Sequence, residues 1–137
     1  MLKDFLIIKL ISSFIIPYIT LYAIYIQLNG EVSPGGGFQA GVIFATGIIS
    51  YELIFGKGKF LQAISVKSLT VCGILGVIIY GTTGAVSLVF NDNYLDYSSL
   101  AKTAVAGQHL GIFLIELGVG LTVSSVMCLI YTLLRED

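Results

Sequence analysis

The sequence predicts an all-α fold: a polytopic membrane protein with four transmembrane helices, one domain over residues 1–137, and both termini in the cytoplasm. Three observations carry this expectation. Apolar side chains make up 56% of the chain and charged ones 11%, with a mean hydropathy of +0.96; a water-soluble domain is typically about 25% charged. So little charge cannot cover a globule facing water, which makes a lipid bilayer the solvent. Four apolar runs are each long enough to cross about 30 Å of hydrocarbon at roughly 1.5 Å per helical residue. Finally, Lys3, Lys9, Lys57, Lys59, Lys67 and Arg135 fall on one side of the predicted membrane and only Lys102 on the other. The side richer in Lys and Arg is the cytoplasmic one.

The first span covers about residues 5–28. It follows a lysine, as a secretory signal would, but it runs far past the roughly 7–15 residues of a signal core, and no small-x-small cleavage site follows. Lys9 lies about a turn inside this span, and its long stem lets the ammonium reach back to the surface. The second span, 37–55, opens directly out of a glycine-rich turn. The third, 68–90, carries Gly81-Thr82-Thr83-Gly84. Its hydroxyls can bond back to carbonyls of the preceding turn and bend a helix; a straight helix with satisfied hydroxyls is expected, with a break or π-bulge as the alternative. The fourth span is 107–134. Loops cover 29–36, 56–67 and 91–106, and the last places Tyr94 and Tyr97 where amphipathic rings suit the headgroup level.

Residues 33–41 stand out from this generic membrane sequence. They read Ser-Pro-Gly-Gly-Gly-Phe-Gln-Ala-Gly, a motif built on Pro34, Gly35, Gly36, Gly37, Phe38 and Gly41. Glycines there strip side chains from the start of a membrane helix, so the site needs bare backbone or very close packing. Gly37, Gly41 and Ala45 recur every four residues and form one smooth stripe. Gly73/Gly76, Gly81/Gly84, Gly107/Gly111 and Gly118/Gly120 suggest further stripes. Between helices in lipid, close approach through small residues is the main route to packing. Some stripes are expected to pack these four helices together and others to face neighbouring subunits. The turn itself reads as a close-packed helix start; contact of an ion with bare backbone of residues 34–37 is the other reading.

Three ionisable residues inside the spans are candidates for an ion pathway: Glu116, His109 and Glu52. Glu116 lies near the middle of the fourth span. An ionised carboxylate there costs roughly a few kcal/mol or more unless it is paired, hydrated or neutralised. It is a candidate proton-exchanging group; a permanently neutral acid or a fixed ion pair to a neighbouring subunit are the alternatives. His109 precedes it by two helical turns and shares its face about 10 Å away, so a water or another side chain must bridge the two. His109 is either a hydrogen-bonded interfacial residue or, with Gln108, the mouth of a polar route toward Glu116. Glu52 sits a turn from the cytoplasmic end of its span, near Lys57 and Lys59, and reads as a carboxylate paired to lysine.

Other chemistries find no support in the sequence. A net charge of −1 offers no surface for nucleic acid. One histidine without a neighbouring cysteine or carboxylate pair makes no metal site. The glycine run is no phosphate loop or dinucleotide fingerprint, because no strand precedes it and the spacing is wrong. No nucleophile–base pair is present, so neither an enzyme nor a cofactor is expected. Cys72 and Cys128 each lie inside an apolar run and read as small core residues.

Two segments, residues 30–41 (Gly-Glu-Val-Ser-Pro-Gly-Gly-Gly-Phe-Gln-Ala-Gly) and 107–120 (Gly-Gln-His-Leu-Gly-Ile-Phe-Leu-Ile-Glu-Leu-Gly-Val-Gly), resemble the MnhB-type subunit of the multisubunit Mrp (Mnh) sodium/proton antiporters. The resemblance covers nearly the whole chain, since its length and four-span pattern also fit. It implies a small integral-membrane subunit in a bacterial or archaeal cell membrane. Such a subunit supports assembly with other membrane subunits, including large complex-I-like ones, and lines part of an ion route while the complex moves Na+ and H+. A membrane-arm subunit of a related redox-driven, hydrogenase-type complex is the alternative. Many members carry a histidine near the position of Glu31, in a Gly-His-x-x-Pro-Gly-Gly-Gly pattern, so any role of that histidine does not transfer.

Overall fold

The computed structural model describes residues 2–31, 35–56, 64–90 and 92–135, with side chains from residue 5 onward. It consists of α1 (Leu2–Leu28), α2 (Gly37–Phe55), α3 (Val66–Val89), a short 3-10 helix (Tyr97–Leu100) and α4 (Ala104–Arg135). All four α-helices are long and apolar enough to cross a membrane. Among the described residues there is no strand.

Capping residues set several boundaries that apolar runs alone do not reveal. Ser65 Oγ accepts the N–H of Ser68 at 3.1 Å, so α3 begins at Val66, ahead of the expected residue 68. Thr103 Oγ1 accepts the N–H of Ala106 at 3.3 Å, which starts α4 at Ala104, three residues early. The expected loop of 91–106 is therefore shorter, and part of it is the 3-10 helix. Pro17 lies inside α1 without ending it. Hydroxyls around it fold back on the helix: Ser13 donates to Leu10 O at 2.7 Å and Thr20 to Ile16 O at 2.9 Å. The threonine pair in α3 behaves likewise, with Thr82 donating to Ile78 O at 2.6 Å and Thr83 to Ile79 O at 2.7 Å. The helix runs unbroken through them, as expected. Lys9 turns its ammonium over the Phe5 ring, 4.6 Å from the centroid.

The helices are neighbours in the order α1–α2–α4–α3, and among the described residues α3 approaches neither α1 nor α2. α4 is therefore the central post, and glycines on two of its sides set the contacts. Gly118 and Gly120 are two residues apart, so they point roughly 200° from each other around the helix. Gly118 meets α3: a Cβ there would lie 2.8 Å from Gly76 O, and one on Gly76 would lie 2.6 Å from Gly118 O. Gly120 meets Gln27 of α1 and Gly41 of α2. The Gly37/Gly41/Ala45 stripe thus packs inside the molecule, running parallel to α4 past Glu116, Gly120 and the buried Cys128. Gly47 makes the α1–α2 contact against Thr20.

Two of the expected stripes have other roles. Gly107 and Gly111 receive the short 3-10 helix and not another span. They leave room for the backbone and ring of Tyr97, which is buried at 8% exposure rather than lying at a headgroup surface. On α3, Gly84 receives Tyr94 and Leu95, while Gly81 faces open space. The stripe splits because the loop before α4 folds back into the groove at the end of α3 and α4.

This packing gives a paired prediction. A Cβ on Gly41 would stand 2.7 Å from Gly120 O and 2.9 Å from Val123 Cβ, whereas one on Gly81 meets nothing within 4 Å. Gly41→Ala should lower stability by about 1–3 kcal/mol through overpacking. Gly81→Ala should leave it unchanged or raise it by up to roughly 1 kcal/mol through helix propensity. Thermal unfolding of the purified protein in detergent separates the two.

Candidate functional site

Glu116 and Glu52, the two carboxyl groups within the α2–α4 seam, lie at its two ends. At one end α1 finishes, the chain turns, and α2 begins. Gly35 (φ 153°) and Gly36 (φ 106°) hold conformations that side chains rarely adopt, which is one reason for glycine there. The other reason is Glu116. Gly37 packs directly on the Glu116 backbone carbonyl, which places Glu116 level with the start of α2. Its carboxyl fills the space left bare by two glycines. A Cβ on Gly30 would overlap the carboxyl group, and one on Gly36 would sit 3.1 Å from Oε1. Bare backbone at the turn therefore makes a cradle for a carboxyl. Within the motif, Phe38 points outward at 67% exposure, Gly41 packs on Gly120, and Pro34 lies outside the described residues.

Opposing influences act on this carboxyl. Glu116 Oε2 is buried and makes no hydrogen bond among the described residues; exclusion from water favours the neutral acid. The start of α2 favours the anion. Its first intrahelical donor is the Ala40 N–H, which bonds Gly36 O at 3.0 Å, and no side chain of the N-cap residue covers the amides before it. A helix N-terminus carries roughly half a positive charge. Gln27 adds a second buried, unpartnered atom, Nε2, and its Oε1 rests against Gly120. Gln27 also lines a groove of about 260 Å³ between α1, α2 and α4, together with Gly41, Phe44 and Ser124.

Glu31 lies against His109 at this end of the seam. Its Oε2 lies 2.6 Å from His109 Nδ1, and its charge is within electrostatic reach of Glu116. The side chains of His109 and Glu31 are 60% and 22% exposed. Gln108, in contrast, turns away from this group. Its Nε2 donates to Asp96 Oδ1 at 3.3 Å and to Ser98 Oγ at 3.1 Å. It ties the 3-10 helix to α4 and is no part of a polar mouth. Hydrogen bonds from the Ser98 hydroxyl and backbone N–H hold the Asp96 carboxyl below its ordinary range.

Glu52 occupies the other end of the seam, about 22 Å away along fifteen residues of α2. It is 2% exposed. The Arg135 guanidinium donates to its Oε1 at 2.5 Å, and Tyr131 also bonds Arg135. Arg135 is thus a cation that faces Glu52; the expected partners Lys57 and Lys59 lie outside the described residues. The structure places His109, Glu31 and Glu116 at one end of the seam and Glu52 at the other. The sequence alone singles out neither Glu31 nor Arg135 as a site residue. Their partnerships depend on the parallel register of α2 and α4, which sets Gly37 beside Glu116 and Glu52 beside Arg135. No group of three metal-ligating side chains occurs among the described residues.

Three apolar helices around a fourth as central post, all long enough to cross a membrane, define a multi-pass membrane protein. Residues 7–129 match the family described as "Domain related to MnhB subunit of Na+/H+ antiporter". The chain belongs to that family. It is 29% identical over 125 residues to the B-type subunit of the Na(+)/H(+) antiporter of Bacillus subtilis (strain 168), covering 84% of each chain. It is 24% identical over 130 residues to "Putative antiporter subunit mnhB2" of Staphylococcus aureus (strain Newman), covering 93% of this chain and 92% of the relative.

Removing the Arg135 head group takes the guanidinium away from a buried Glu52 carboxylate. Arg135→Ala should therefore destabilise by about 2–4 kcal/mol, the lower part of the buried-pair range because Arg135 is partly exposed. Arg135→Lys should recover part of the loss, and Glu52→Gln with Arg135→Ala should cost less than Arg135→Ala alone. Denaturant titration of the four proteins in detergent measures this.

Proposed function

We propose that this chain is a small integral-membrane subunit of a multisubunit sodium/proton antiporter in a bacterial or archaeal cell membrane. The observation that carries this reading is the family match over residues 7–129, which spans all four helices and includes the glycine turn and the Glu116 segment. The architecture supports a role inside a larger assembly. α1 buries Ile16, Ala23 and Ile26 and leaves its opposite side bare, with Phe14 and Tyr18 66% and 70% exposed. α3 likewise leaves Ile74, Val77 and Ile78 half exposed. These faces are available to lipid and to other membrane subunits, among them large complex-I-like ones.

The seam between the two ionisable ends is closed by Gly37, Gly41, Ala45 and Cys128, so the described residues offer no continuous polar path along it. The role of the chain is to hold the assembly together and to present the Glu116 group to a neighbouring route, without catalysis or a cofactor. With the charge bias toward the termini, the glycine turn faces outward and both termini face the cytoplasm.

The test is deletion of this chain from the complex, with sodium/proton exchange followed in membrane vesicles. Exchange should be abolished, and the purified chain in liposomes should carry neither ion. Normal exchange without the chain would sink the proposal.

A further inference from the structure

We propose that His109, Glu31 and Glu116 form a proton relay between water at the turn end of the bundle and the Glu116 carboxyl in the glycine cradle. The inference rests on the antiporter-subunit reading and assigns part of the proton movement to this chain. His109 and Glu31 differ in access to water, and one oxygen of Glu116 is buried. His109 is 60% exposed, Glu31 is 22% exposed and touches it at 2.6 Å, and Glu116 Oε2 is buried without a partner among the described residues. A fixed structural strut would pair its last member, whereas an acceptor must have an oxygen free to take a proton. Histidine is the side chain that changes charge most readily in the physiological range, which suits the exposed end.

Each step balances with one proton and no electron transfer. Hydronium at the turn end protonates His109 Nε2 and becomes water, the Nδ1–H bond breaks, and an O–H bond forms on the Glu31 carboxylate at Oε2. That O–H bond then breaks as one forms on the Glu116 carboxylate, directly or through one water, and Glu116 returns to the anion by giving the proton to a water or base of the neighbouring subunit's route. Rotation of the exposed imidazole restores the starting tautomer. The glycine cradle holds the Glu116 carboxyl at the positive end of α2, where the anion left by proton release is stabilised. Among the described residues, each packed element contributes the following groups. α1 and its turn contribute Glu31 with the neutral Gln27 and Asn29, α2 contributes Gly36, Gly37 and Gln39, and α4 contributes His109 and Glu116. Asp96 is engaged with Ser98 and Gln108 on the α3 side.

The experiment uses the whole complex in proteoliposomes, with Glu116→Gln, Glu31→Gln and His109→Gln compared with wild type and with the deletion. Assembly is checked by native electrophoresis. Each assembled variant should exchange at least about a hundredfold more slowly, the low end for loss of a positioned proton-transfer group. Glu31→Gln and His109→Gln should also flatten the dependence on pH at the turn side. Infrared difference spectra after a pH step on that side should show a carboxyl signal that Glu116→Gln removes and Glu31→Gln delays. Wild-type rate and pH profile in Glu116→Gln would overturn the relay; if that variant does not assemble, the same result in both Glu31→Gln and His109→Gln would overturn it. Loss of exchange on deletion with intact exchange in the variants would refute the relay alone. Unchanged exchange on deletion would refute the antiporter-subunit reading, and the infrared signal would still decide whether the relay exists.

Discussion

Close backbone contact along α4 is the constraint on which the rest of this structure depends. Lipid supplies no hydrophobic drive between helices, so their association relies on dispersion and on short backbone separation. α4 meets α3 through Gly76 and Gly118 and meets α2 through Gly37, Gly41 and Gly120. Because Gly118 and Gly120 face opposite ways, one helix holds two neighbours at close backbone separation on either side. α1 then needs only α2 and the nearby Gln27–Gly120 contact to find its place. The outer faces of α1 and α3 stay apolar and uncovered, which suits a chain embedded among others.

The same register places charge. Parallel α2 and α4 set Glu116 against the glycine turn and Arg135 against Glu52, so each end of one seam carries a carboxyl group with a different solution. Glu52 is neutralised by a guanidinium and closes the terminal end as a structural pair. Glu116 has no such guanidinium among the described residues; it has glycines, the positive start of α2 and the Glu31–His109 pair. A motif conspicuous for lacking side chains thus acquires a chemical reason. Its glycines are required by a turn with left-handed φ at Gly36 and also by the volume of a carboxyl group.

Much of the fold is legible in the sequence. Apolar run length alone gives four helices, and the threonine pair in α3 satisfies its hydroxyls without breaking the helix, as its residues suggest. Helix starts differ from the apolar runs because Ser65 and Thr103 act through caps, which extend a helix beyond its apolar core. Glycine pattern alone does not tell a helix contact from a ring contact, as Gly107 and Gly111 show with Tyr97. The candidate site is partly legible: the two-turn spacing of His109 and Glu116 demands a bridge, but Glu31 lies 78 residues away in sequence from its partner His109. Arg135 is hidden for the same reason, since spacing along one helix says nothing about the register of two.

The turn is bare because Glu116 occupies it. A double-mutant cycle of Gly30→Ala and Glu116→Ala, read as unfolding free energy in detergent, tests this most directly. Gly30 needs no left-handed conformation, so its cost on substitution should come from the collision with the Glu116 carboxyl. Gly30→Ala should destabilise the wild type and cost little in the Glu116→Ala background, a coupling on the order of 1–3 kcal/mol. Costs that simply add would contradict the account.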